Sequence, residues 1–295
     1  MLKKEVIQTL LNEALETGAD FAELFFEDTN QEVIRVTSKD VSNVSYNNVH
    51  GVGVRLIKNN DVVYGYSNEV SEDKVRALVV SLRASFDGKK KEAVPLNESL
   101  PFDNKVKRPM EAVSAKEKTD KLLALSEVIL SHDPKIVQSI TQLLSWKQSI
   151  LVANSNGTYQ DDERHYARVI LMGVASENGQ MQQVFEGPGR AMGFEIFDDI
   201  DTFALAKDVA ERAVHMLSAQ PIVAQEMPVV LANGWGGVIF HEACGHPLEA
   251  TAVAKGLSPF TGKLGQAIGS SVVTAYDDGD VDGAWGRTSF DDEGM

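Results

Sequence analysis

The sequence predicts an α+β fold, with helices laid against antiparallel sheet. Three observations lead there. Val6, Leu10, Leu11, Ala14 and Leu15 repeat with helical period near the start. Several strand-like runs then succeed one another directly. Asn59-Asn60-Asp61, Asn154-Ser155-Asn156-Gly157 and Glu177-Asn178-Gly179 supply the hairpin turns that join such runs. Helices beside consecutive hairpins are the pattern of this class.

In chain order, Gly18 ends the first helix. Strand-like runs come next at 21–27, 32–37, 41–46, 51–58 and 62–67. Ser71 is placed to cap a second helix that runs to Phe86. These elements make an N-terminal α+β domain over 1–86. Residues 87–110 read as a linker: Asp87-Gly88-Lys89-Lys90-Lys91 is polar, and Pro95, Pro101 and Pro109 punctuate the remainder of the segment. In an acidic chain, Lys89–Lys91 reads as a solvated loop rather than a binding patch.

A central α+β domain is expected over 111–225. Ser114 opens a helix carrying Leu122, Leu123, Leu125, Val128 and Ile129. Strands are expected at 136–144, 145–154, 158–176 and 180–185, and a helix over 202–217 closes the domain. His132, His165 and His215 have no partner at metal-ligand spacing and read as edge or surface histidines. Gly187-Pro188-Gly189-Arg190 and Gly234-Trp235-Gly236-Gly237 lack the Gly-Lys-Ser/Thr end of a phosphate loop. The first reads as a tight turn, the second as a place of close backbone approach.

Length and charge bound the rest. A chain of 295 residues exceeds the usual single domain, so two or three are expected. Hydrophobic residues at 43% suffice for cores. A net charge of −15 and a pI near 4.8 argue against a nucleic-acid partner. The N-terminus opens an amphipathic pattern rather than an apolar leader. No run of 18 apolar residues suggests a membrane span. The single cysteine, Cys244, excludes an intrachain disulfide and fits a reducing compartment, so the cytoplasm is expected.

The region from residue 226 holds His241-Glu242-Ala243-Cys244-Gly245-His246. Two imidazoles beside a carboxylate are zinc-ligand chemistry with a candidate base. The H-E-x-x-x-H spacing is one residue longer than the common H-E-x-x-H. Residues five apart diverge by roughly 140° on a regular helix. Both rings reach one ion only if the helix is distorted, by a π-bulge or by unwinding at Gly245. Pro247 adds a reason for the helix to end or kink near Gly245–His246. Spacing alone leaves two readings open: metal ligands, or ordinary partly buried histidines beside a helix-capping glycine. Further on, Asp278-Gly279-Asp280-Val281-Asp282-Gly283 matches half of a calcium loop, but Ser289 stands where a bidentate Glu is needed. An aspartate-rich turn is the better reading. Asp291, Asp292 and Glu293 read as a solvated loop.

Several ordered segments carry a resemblance. They are Val229-Val230-Leu231-Ala232, Gly237 through Leu248-Glu249, Gly256-Leu257-Ser258-Pro259-Phe260, Val272-Val273-Thr274 with Asp277-Asp278-Gly279, and Phe290-Asp291-Asp292-Glu293-Gly294. Together they resemble the TldD/PmbA family of metallopeptidases, in its TldD-like, motif-bearing branch. The likeness runs along essentially the whole chain and is strongest after residue 225. It implies His241 and His246 as zinc ligands, Glu242 as general base, and a β-rich C-terminal domain of which 226–295 is the incomplete start. It also implies a third ligand, a cysteine far downstream. Cys244, between the two histidines, cannot replace it. Asp277, Asp278 and Glu249 are conceivable substitutes.

With two protein ligands, weak or absent zinc is expected. The implied activity is zinc-dependent hydrolysis of short or unfolded peptides in an enclosed cavity, by a homodimer or a pair with a PmbA-like partner subunit. The alternative is a truncated, non-catalytic scaffold subunit. A zinc hydrolase of non-peptide amides is a third reading.

Overall fold

Ile7, Leu10, Leu11 and Ala14 fall on one stripe of the first helix, and all four are buried. This computed structural model describes residues 2–97 and 106–295, with Trp235 described in its backbone alone; Pro101 of the expected linker lies outside the described residues. Two compact units are present. The first joins Met1–Ala219 to Gly279–Met295, and the second is Gln220–Asp278.

The first unit begins with α1 (Lys4–Ala14), β1 (Phe21–Thr37), β2 (Asp40–Lys58), β3 (Asp61–Ser67) and α2 (Glu72–Arg83). It continues with α3 (Ala115–Ser131), β4 (Ile136–Asn154), β5 (Tyr159–Glu177), β6 (Gln180–Glu186), β7 (Gly189–Arg190), α4 (Ile196–Asp199) and α5 (Thr202–Met216). One antiparallel sheet has the order β3-β2-β1-β4-β5-β6, with the short β7 also beside β5. The α+β class is thus observed, and a single sheet runs through it.

The strands are longer than expected. The runs 21–27 and 32–37 are one 17-residue strand, 41–46 and 51–58 are one of 19, and 136–144 and 145–154 are one of 19. The polar stretch Asp28–Gln31 reads as a break, yet each of its residues is paired on both sides, to His50–Asn47 and to Ser149–Trp146. Ladder hydrogen bonds use backbone groups, and polar partners satisfy the side chains. Asn48 Nδ2 donates to Asp28 Oδ1 at 2.7 Å. The β1–β2 turn, at Ser38-Lys39, had no signal because neither residue is Gly or Asn, although both adopt positive φ (46° and 74°). The predicted turns at Asn59 and at Asn178-Gly179 do use that conformation.

Side chains alternate along a strand, so the even residues of β1 share one face. Ala22, Leu24 and Phe26 meet α1 and α2 in one core. Ile34 and Val36 meet α3 and α5 in a second, with Leu143, Val169 and Leu171. Both helical pairs therefore cover the same face at opposite ends of the long strands. Between them the face is polar: Lys118 Nζ donates to Glu32 Oε2 at 2.5 Å and Tyr46 Oη to Glu32 Oε1 at 2.8 Å. Ser114 caps α3 by accepting from Glu117 N. Ser71 does not cap α2 with its side chain; its hydroxyl donates to Glu69.

The expected linker is tied down where it is described. Asn12 Oδ1 accepts from Ala93 N at 2.9 Å, Gln8 Oε1 accepts from Leu96 N at 2.7 Å, and Lys91 pairs with Asp20. The acidic tail is likewise no free loop. Phe290 packs on Ile150 and Val152 on the face away from the helices. Its carbonyl accepts from Arg164 at 2.7 Å, and Glu293 pairs with Arg55 at 2.8 Å. Arg287 Nε donates to Asp280 at 2.8 Å and Nη1 lies 3.8 Å from Asp282, which braces the aspartate-rich turn.

Candidate metal centre

The metal motif lies in the second unit. After a 3-10 turn at Gly234–Gly236, α6 (Gly237–Phe240) leads into a π turn over His241–Gly245, then a 3-10 turn over His246–Leu248 and α7 (Ala250–Ala254). The backbone N–H of His246 donates to the carbonyl of His241, a bond spanning five residues instead of four. That extra residue per turn offsets the divergence of a five-residue spacing. The rings of His241 and His246 stand with centroids 4.5 Å apart and planes at 59°.

The distortion is the π turn and not an unwinding at Gly245. Gly245 has φ −59° and ψ −61°, dihedrals any residue adopts. Glycine serves there because a Cβ would stand 2.9 Å from His241 Nδ1. Pro247 is the second residue of the 3-10 turn, and the chain leaves helical geometry at Glu249 (φ −57°, ψ 128°).

One donor atom each from His241, Glu242 and His246 lie within 4.8 Å of one another, and all three residues are exposed. This is the one such group of three among the described residues. Two borderline nitrogen donors and a carboxylate suit zinc or a similar divalent ion. The fit is open, since ligands on one zinc ion sit about 2.0–2.2 Å from it. Glu242 Oε2 lies 3.8 Å from His246 Nε2. Cys244, Asp277 and Asp278 do not join the group. Glu249 binds the other side of the ring, with His246 Nδ1 and Glu249 Oε1 at 2.6 Å. That hydrogen bond holds the His246 pKa above its ordinary value. The sequence offers Glu249 only as a substitute ligand; its place three residues after His246 is the signal of this pairing.

Of the other histidines, His215 is exposed and His132 half-exposed. The His165 side chain is only 8% exposed and bonds Glu163 at 2.9 Å, so it is an inner-wall residue rather than a surface one. It lines a cleft of about 710 Å³ in the first unit with Asp162, Arg164, Tyr166 and Glu195, which contains none of the motif residues. No described helix is long and apolar enough to cross a membrane.

Comparison with known proteins gives these elements a family. Models of PmbA/TldA metallopeptidases match in succession: domain 1 over residues 22–85, the central domain over 108–217 and the C-terminal domain over 224–295. The Metalloprotease TldD homolog of Haemophilus influenzae is 28% identical across 98% of this chain and 62% of its own length. That of Buchnera aphidicola subsp. Acyrthosiphon pisum is 27% identical across 96% and 61%. A metalloprotease of Methanocaldococcus jannaschii is 29% identical across 100% and 65%. The chain thus spans about 60% of the length of the curated relatives it matches. Among solved structures, a Thermotoga maritima protein named as a modulator of a DNA gyrase superposes with TM-score 0.78 at 19% identity, over 99% of this chain and 66% of that one. TldE from Thermococcus kodakarensis gives 0.70 at 18%, over 98% and 65%. At such identities the structures speak for the fold, while the three consecutive models take in most of the sequence: the chain belongs to the PmbA/TldD metallopeptidase family.

Proposed function

We propose that this chain carries the zinc-binding half-site of a TldD-type peptidase that hydrolyses short or unfolded peptides. The observation that carries the reading is the π turn that gathers His241, Glu242 and His246. His241 and His246 would hold the ion through neutral imidazole nitrogens. A bound zinc would lower the pKa of its water and polarise the scissile carbonyl. Glu242 is the general base: its carboxylate takes the water proton and returns one to the leaving amine. The resemblance assigns the third ligand to a cysteine further along the relatives' chains, and Cys244 stays outside the group. Peptide substrate, a homodimer or a PmbA-like partner subunit, cytoplasmic location and the division at 1–86, 87–110, 111–225 and 226–295 belong to the same proposal.

A second reading, a non-catalytic scaffold subunit, is favoured by the donor count of two imidazoles. Glu242→Gln separates them. In an assembled protein that turns over an unfolded peptide, the variant is expected to keep about one zinc per chain and lose hydrolysis by at least about a hundredfold. Hydrolysis that survives the substitution removes Glu242 from the chemistry. A wild-type protein with neither zinc nor turnover rules out the peptidase reading.

A further inference from the structure

Each histidine ligand must keep one ring nitrogen free of hydrogen. Nδ1 of His246 lies 2.6 Å from Glu249 Oε1, whereas Nε2 has only the Glu242 carboxylate at 3.8 Å. An ionised carboxylate accepts and cannot donate. Nδ1 therefore carries the hydrogen in the neutral ring, and the Nε2 lone pair points toward the group formed with His241 and Glu242.

Glu249 is held for this task by its backbone. It precedes α7 at the N-cap position, yet its side chain makes no cap bond to that helix. N-cap side chains usually satisfy the free N–H groups of their own helix; this one turns back to His246. The turn between them is braced. Ser258 Oγ donates to the carbonyl of Pro247, and Phe260 N donates to Ser258 Oγ at 3.0 Å. Ser258 is 8% exposed, the one buried side chain of the second unit among the described residues.

We infer that Glu249 is a positioning residue of the metal centre, whose carboxylate holds His246 Nδ1–H and presents Nε2 to the ion, with Ser258 fixing the turn that brings it there. The inference rests on the metal reading above and adds the partner that orients a ligand. Outer partners of this kind typically contribute 10–100-fold to metal affinity. As a third ligand, Glu249 would instead contact the ion. As an ordinary surface ion pair, it would be neutral for metal.

The test uses the full chain with Glu249→Ala, Glu249→Gln and Ser258→Ala, and zinc alone as the probe. Two quantities are read: the His246 tautomer in metal-free protein by ¹⁵N chemical shifts, and zinc affinity by competition with a chelator at fixed pH. The wild type is expected to hold the Nδ1–H tautomer. Glu249→Ala should lose that preference and bind zinc about 10–100-fold more weakly. Glu249→Gln keeps an acceptor oxygen and should recover part of both, and Ser258→Ala should show a smaller loss of both. An unchanged tautomer in Glu249→Ala overturns the inference. So does equal zinc affinity, or zinc held through Nδ1 with the Glu249 carboxylate on the ion. If the wild type binds no zinc, the metal reading fails for this chain, and the tautomer alone still decides whether Glu249 orients His246.

Discussion

The two units of the chain are built on opposite terms. The first has two cores whose members, such as Leu24, Leu56, Leu125 and Leu143, are fully buried. The second leaves Val230 97% and Leu264 102% exposed, along with Val272 and Tyr276, and buries only Ser258 among its described side chains. Yet the candidate chemistry sits in the second. Its donor atoms are gathered by backbone hydrogen bonding and short-range contacts: a π turn, a proline, a serine on a carbonyl. The buried cores thus lie in the first unit and the candidate donor group in the second.

The largest contrast should appear in amide hydrogen exchange. Amides of β1 and β4 should open only with global unfolding, whereas those of 220–278 should exchange with little protection, since local stability follows buried apolar contact. Equal protection in the two units would break the comparison. Next comes Leu143→Ala, which should cost about 2–5 kcal/mol of unfolding free energy in a denaturant titration, while Val230→Ala stays within about 0.5 kcal/mol. A large cost at Val230 would show that the second unit has an interior after all.

Gly245→Ala sharpens the comparison from the other side. Its Cβ would crowd His241 Nδ1 at 2.9 Å and displace the ring. Zinc affinity should fall about tenfold or more, the cost of roughly 1.4 kcal/mol, while the unfolding midpoint of the first unit is unchanged. Unaltered zinc binding would show that the ring has room to move without consequence.

The smallest effect concerns pH. A hydrogen bond from Lys147 to Glu163 raises the lysine pKa above its ordinary value. A raised pKa means stabilisation that is complete below the unfolded lysine range and lost as pH climbs through the folded value. For so accessible a pair it is worth under about 1 kcal/mol. Lys147→Met should narrow the stability difference between neutral and strongly alkaline pH by that amount, measured against wild type. A variant that loses as much stability in alkali as the wild type would assign the loss to other groups.

Much of this was legible in the chain. The start of α3 at Ser114, the hairpin at Asn178-Gly179 and the need for a distorted helix between His241 and His246 all come from local rules, and local rules govern those places. What was not legible depends on distance or on partners. The middle of β1 reads as a loop because Asp28–Gln31 are polar, and only their neighbours on β2 and β4 make them strand. Phe290 docks on Ile150 and Val152 across more than a hundred residues of sequence, which no periodicity reports. The reason for Gly245 was misread because glycine suggests unusual dihedrals, whereas here it is the absence of a side chain that counts.

The histidine pair shows how a five-residue spacing can keep two side chains on one side of a helix. One added residue would swing a ligand to the wrong side of an α-helix, but a single widened turn restores both rings to a common side. Shortening the loop of letters between them by one would restore the ordinary helical repeat and leave the pair convergent.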